Sequence, residues 1–223
     1  MLVGGGRGVV TEPRSRTVES WGAAVAALAF AGLCASFMQA LVIPIQSSLP
    51  ALLDAPRSDT AWAVTSTLLV SAVSTPIAGR LGDLYGKRRV MVSLLWIMVL
   101  GSVVAALATN VWVLVVGRGL QGSGVGVIPL SISVLGGLLP VNQLGTAVGL
   151  VSATLGVGGA IAIPLSATVV EFAEWHLLFW IAGALGLLCI GTISRFVPAD
   201  GSRQAGRFDI VGGAALGALI TAL

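Results

Sequence analysis

The stretch Gly79–Val90 reads GRLGDLYGKRRV. It gathers four cations (Arg80, Lys87, Arg88 and Arg89) and one acid, Asp83, into twelve residues. The twenty or so residues on either side carry no charge. A charged knot between two apolar runs reads as a tight loop where two membrane helices meet the cytoplasm. Gly82 and Gly86 form a small-xxx-small pair that lets another helix approach. Asp83 falls at the end of the preceding helix, where it can receive a helix N-terminus or pair with a cation.

Working outward, charged residues make up 9% of the 223-residue chain, against about 25% in soluble domains. Hydrophobic residues are 56% and the mean hydropathy is +1.00. Such a chain cannot cover an apolar core with a polar surface, so its solvent is lipid. The net charge of +3 is no nucleic-acid signal, because the cations cluster at helix ends. Cys34 and Cys189 lie inside apolar runs, so neither a disulfide framework nor a metal site is expected. No nucleophile–base pair or phosphate loop appears, which argues against an enzyme, and no cofactor is expected.

Six apolar runs follow in order, over 21–45, 61–81, 90–108, 111–139, 145–170 and 175–197. The fold class expected is all-α: a polytopic membrane protein with a six-helix bundle over 21–197 and the start of a seventh transmembrane helix. Residues 1–20 read as a disordered cytoplasmic tail and 198–209 as a cytoplasmic linker. Residues 210–223 form a seventh run of fourteen residues, short of the about twenty that span a bilayer. The first run is too long for a signal-peptide core and reads as a retained helix.

Orientation follows from the cations. With the amino terminus inside, inner segments hold Arg7, Arg14, Arg16, Arg80, Lys87, Arg88, Arg89, Arg195, Arg203 and Arg207, ten in all, and the outer loops only Arg57. That bias predicts a cytoplasmic amino terminus in a multi-pass plasma-membrane protein. Helices 1–3 and 4–6 are expected to be related as an inverted repeat, with Pro76 and Pro164 late in the second and fifth runs.

Arg118 is the only charge deep inside a run. An Arg in lipid is costly and faces a cavity or a partner. Gln121 is three residues on and shares its helix face. Gln39 is the strongest polar group of the first run.

These residues carry a resemblance. Gly79, Leu81, Asp83, Gly86, Lys87 and Arg88 are similar to the loop 2–3 signature of the major facilitator superfamily, which runs Gly-x-Leu-x-Asp-x-x-Gly-Arg/Lys-Arg/Lys. GRGLQGSGVG, with Arg118, Gln121, Gly122 and Gly124, resembles that family's Arg-x-x-Gln-Gly-x-Gly motif. Gly149, Gly156, Gly158, Gly159 and Pro164 partly resemble its antiporter motif, though Ile163 stands where a Gly is usual. The ending MQALVIPIQSSLP and the Arg207-Phe208-Asp209 lead-in resemble the fourteen-helix drug:proton antiporter branch. Leu41 stands where that branch carries an acid.

The resemblance implies the amino-terminal half of a secondary transporter for small organic compounds or drugs, with protons as the expected coupling ion. It implies a conformational gate at Gly79, Asp83, Gly86, Lys87 and Arg88. Proton coupling and cavity contacts fall on Arg118, Gln121 and Gln39, and helix packing on Gly122, Gly124, Gly156, Gly159 and Pro164. The expected partners are a small-molecule substrate, the lipid bilayer, and either a carboxyl-terminal half or a second copy. The rival expectation is a non-transporting fragment or degenerate remnant.

Overall fold

The computed structural model describes residues 18–199. The residues expected to form most of the tail, nearly all of the linker and the seventh helix lie outside them. Helices make up all the regular structure of the described part: α1 Val18–Ala40, α2 Leu49–Leu52, α3 Arg57–Tyr85, α4 Lys87–Ala106, α5 Val111–Gly122, a 3-10 turn Ser123–Gly126, α6 Val127–Leu138, α7 Val141–Phe172 and α8 His176–Phe196. Counting α5, the turn and α6 as one unit, six helices are long and apolar enough to cross a membrane.

Each helix end has a local cause. α1 stops at Ala40, five residues short of expectation, because Pro44 has no N–H to return to the Ala40 carbonyl. The chain tightens instead, and Ile43 N–H donates to that carbonyl at 3.1 Å. α3 starts at Arg57, earlier than expected. Pro56 precedes it in extended geometry, and Asp59 sits in the first turn where the helix dipole favours an acid. Asn110 caps α5 by accepting from Val113 N–H at 3.0 Å.

The stretch Gly79–Val90 is helix on both sides rather than loop. Gly79–Tyr85 is the end of α3 and Lys87–Val90 the start of α4, and Gly86 alone joins them. Gly86 has φ 98°, a left-handed conformation that side-chain-bearing residues rarely take. One glycine thus reverses the chain, and no longer loop is needed.

The packing is symmetric in a specific sense. α1 lies along α7, α3 along α5, and α4 along α8, with further contact of α4 on α5 and of α1 on α8. Exchanging the first three membrane helices for the last three maps this set of pairs onto itself, as an inverted repeat requires. Hydroxyl bonds follow the same rule. From α3, Ser66 donates to Val115 O and Thr67 to Arg118 O, each at 3.1 Å. From α7, Ser166 donates to Leu41 O at 2.7 Å, just past α1. Most other hydroxyls of α3 turn back on their own helix: Thr65 to Ala61 O at 3.2 Å, Ser71 to Leu68 O at 2.8 Å and Thr75 to Ser71 O at 2.7 Å. α3 and α7 are the least buried membrane helices in the described part, with 17% of their apolar windows buried against 56% for α1.

Candidate functional site

Arg118 sits on α5, 2% exposed, between α1 and α4. Its Nη1 donates to Met38 O of α1 at 3.0 Å and to Gln121 Oε1 at 2.8 Å. Gln121 Nε2 donates to Ser102 Oγ of α4 at 2.8 Å. Ser102 in turn donates to Met98 O at 3.0 Å. Thr67 of α3 closes the set from the other side by donating to the Arg118 carbonyl. Four helices therefore meet at one polar node, and Thr67, Ser102, Arg118 and Gln121 are all buried.

The node is not electrically balanced. Both partners of the guanidinium are neutral, and Nε has no hydrogen-bond partner among the described residues. A buried ion without a counter-ion costs several kcal/mol. Such a group marks a candidate site. Half-buried Gln39 lines the same narrow crevice as Arg118, Gln121, Met38, Met98 and Thr67. Gln39 makes no bond to Arg118, so the crevice brings these side chains together without joining them.

Glycines let the helices close on the node. A Cβ on Gly101 of α4 would lie 2.6 Å from Gly117 O of α5, and one on Gly117 would lie 2.7 Å from Ala105 N. At Gly122 a Cβ would fall on the Thr67 carbonyl, and at Gly124 on the Met98 sulfur. Ser123–Gly126 tightens to a 3-10 turn at this point, where the expected helix was continuous over 111–139. Three glycines within Gly122–Gly126 weaken the α-helix, and Ser123 bonds back to Leu120 O at 2.7 Å.

The remaining sequence-predicted residues lie elsewhere. Asp83 is half-buried near the end of α3. Gly86 is the one-residue joint, and Lys87 Nζ donates to Ser133 O of α6 at 3.2 Å. Arg88 donates to Ser194 O of α8. Gly79 has open space around it. Pro164 is inside α7. A Cβ on Gly159 would lie 3.7 Å from Ser36 Oγ, whereas one on Gly156 would meet nothing within 4 Å. The close approach of α7 to α1 is instead at Gly158, whose Cβ would strike Leu33 O. His176 bonds to Ala108 O at 3.0 Å and stacks on Trp175 at 3.8 Å, which fixes α8 to the end of α4.

Ser102, like Thr67, is a node residue that sequence reading did not assign to the site. With Ser93 it is one of two polar residues in the run 90–108, and Ser93 bonds only to its own helix. Ser102→Ala should leave the Gln121 amide unpaired in the interior, at a cost of about 1–3 kcal/mol. Thermal unfolding in detergent should show a lowered Tm for this variant, while Ser93→Ala should match the parent. Equal Tm values for Ser102→Ala and the parent would mean that the node does not hold the helices.

The family model for the Major Facilitator Superfamily matches residues 28–219. The chain is 32% identical over 174 residues to an uncharacterized MFS-type transporter of Mycobacterium tuberculosis, covering 78% of this chain and 25% of that protein. It is 35% identical over 198 residues to the MFS-type efflux pump MMF1 of Pseudozyma antarctica, covering 84% and 36%. It is 34% identical over 154 residues to the multidrug transporter protein MdtP of Bacillus subtilis, covering 68% and 28%. The chain thus spans roughly a quarter to a third of the curated relatives it matches. Among solved structures, the xylose transporter XylE from E. coli superposes with a TM-score of 0.74 at 17% identity, over 81% of this chain and 49% of that one. The human organic anion transporter MFSD10 gives 0.66 at 16% identity, over 92% and 54%.

Proposed function

The chain belongs to the Major Facilitator Superfamily, a family of multi-pass membrane transporters and not of enzymes, and from that premise we propose that it forms the amino-terminal half of an exporter of small organic compounds. The observation that carries this reading is the buried Arg118–Gln121 node, held by four helices beside a crevice that includes Gln39. The printed names of the relatives, an efflux pump and a multidrug transporter, favour export over import. Alternating access then rocks this six-helix unit against a second one. The barely buried α3 and α7 offer the surface for that contact.

Coupling to protons belongs to the same proposal, with a restriction. Arg118 holds its charge under ordinary conditions and tunes a neighbour without carrying a proton. Between Asp59 and Glu171 the one carboxylate is Asp83, at the helix end. The proton-carrying acid is therefore assigned to the second half, the alternative being transport that is not coupled to protons. Asp83 is assigned to gating, and Asp83→Asn should slow turnover several-fold with substrate affinity unchanged. Parallel transport and binding titrations on the complete transporter check this, and a loss of affinity would reassign Asp83 to the binding site.

The proposed orientation puts the amino terminus and the α3–α4 joint in the cytoplasm of a plasma-membrane protein. A membrane-impermeant thiol reagent on intact cells should label Asp54→Cys and leave Arg88→Cys unlabelled until the membrane is permeabilised. Cys34 and Cys189 are buried and give little background. Labelling of position 88 but not 54 in intact cells would invert the topology.

A further inference from the structure

The chain has two cysteines and four methionines. Both cysteines and two of the methionines converge where α1, α4 and α8 meet. Cys34 of α1 and Cys189 of α8 are fully buried, and neither is in a disulfide. Cys34 Sγ lies 4.0 Å from Leu185 O, one turn before Cys189 on α8. Helical side chains lean toward the amino terminus, so the Cys189 side chain covers that same turn. The two thiols accordingly touch each other. They are far apart along the chain, so sequence spacing gave no sign of a pair.

Two thioethers complete the group. Met38 follows Cys34 by four residues and shares its face of α1. Met98 reaches the same place from α4. A Cβ on Gly186 of α8 would lie 3.4 Å from Met98 Cε and 3.7 Å from Met38 Cε. Gly186 is three residues before Cys189 on the same face, so both methionines end in the notch beside the thiols. None of the four sulfur side chains is more than 3% exposed. Met38 and Met98 also line the crevice at Arg118, which links that crevice to the thiols.

A lone buried cysteine packs as a small hydrophobe. Two in contact, flanked by two thioethers from separate helices, make a soft donor set. Among the described residues no His, Asp or Glu joins the cysteines to offer a harder ligand. Thiolate and thioether donors select soft ions such as copper(I).

We infer that this group binds one soft univalent cation, copper(I) or its analogue silver(I), through the two thiolates with the thioethers beside them. On binding, both S–H bonds break, two metal–sulfur bonds form and two protons leave to solvent. Nothing is oxidised or reduced. The complex then carries one negative charge. Arg118, the one charged side chain buried in the described part, donates to Met38 O at 3.0 Å, one turn from Cys34, so its positive charge offsets that of the complex. The site needs only the membrane bundle and is independent of the transport reading.

The test adds silver nitrate to the full 223-residue chain in detergent, in chloride-free buffer with excess free methionine as competitor. Native mass spectrometry reads the silver retained. One silver ion per chain should be retained. Because the second thiolate acts at high effective concentration, Cys34→Ser and Cys189→Ser should each weaken binding at least about a hundredfold. Met98→Leu, which conserves volume, should weaken it several-fold. Met91→Leu is the control, since Met91 is equally buried but about 10 Å before Met98 on α4, and it should bind as the parent does. The parent stoichiometry needs no variant, so a variant that fails to fold leaves the test standing. Two silver ions per chain, with each Cys→Ser variant keeping one at parent affinity, would overturn the proposal. So would no retained silver, or equal effects of Met91→Leu and Met98→Leu.

Discussion

Gly122→Val should yield almost no folded protein, while Gly156→Ala should fold as well as the parent. A Cβ at position 122 lies under 3.0 Å from the backbone carbonyl of Thr67, a distance that real Cβ atoms do not show. A backbone carbonyl cannot swing aside as a side-chain tip can, so α3 and α5 would have to separate. Separation breaks the bonds from Ser66 to Val115 O and from Thr67 to Arg118 O. Overpacking by a single carbon costs about 1–3 kcal/mol, and valine adds two more. We expect a loss above about 3 kcal/mol in all. At Gly156 the added methyl meets nothing within 4 Å, and replacing a helical glycine by alanine gains about 0.5–1 kcal/mol. Fluorescence-detected size exclusion and Tm in detergent compare the two variants directly. Equal yields would contradict the packing of α3 on α5.

Arg118→Met should separate folding from function. Methionine fills similar space without a charge. Methionine removes the desolvation cost of an ion without a counter-ion, several kcal/mol, against about 1–3 kcal/mol for leaving Gln121 Oε1 unpaired. The losses are two hydrogen bonds, to Met38 O and Gln121 Oε1, and Gln121 still keeps Ser102. We therefore expect a Tm within a few degrees of the parent. Transport by the complete transporter should fall at least about a hundredfold, because the one charge buried deep in this half is gone. Arg118→Lys restores the charge but not the fork of donors, and should recover only part of the rate. A Tm collapse with normal transport per folded molecule would make Arg118 a structural residue.

Much of the fold was legible because membrane helices announce themselves. Each run is bounded by Pro, Gly, Asn or a charge, and all backbone groups must bond within the helix in lipid. The charged knot at Gly79–Val90 marked a helix junction, but periodicity could not show that a single left-handed Gly86 makes the turn. The Arg118–Gln121 pair was visible because both residues lie on one helix face. Their partners were not, because Met38 contributes a backbone carbonyl and Ser102 belongs to another helix. Sequence spacing carries no record of which helix faces which. The glycines illustrate the same limit: Gly156 and Gly158 are two apart on α7, and only the second meets α1.

Residues 18–199 are proposed to be one half of a rocking pair. The pairing is tested most directly by reconstituting the chain 1–223 alone in liposomes beside the same chain joined to a second six-helix half, and following release of a fluorescent organic compound. Export is predicted only with both halves present, and none above the protein-free background from 1–223 alone. Sustained export by 1–223 alone would contradict the account.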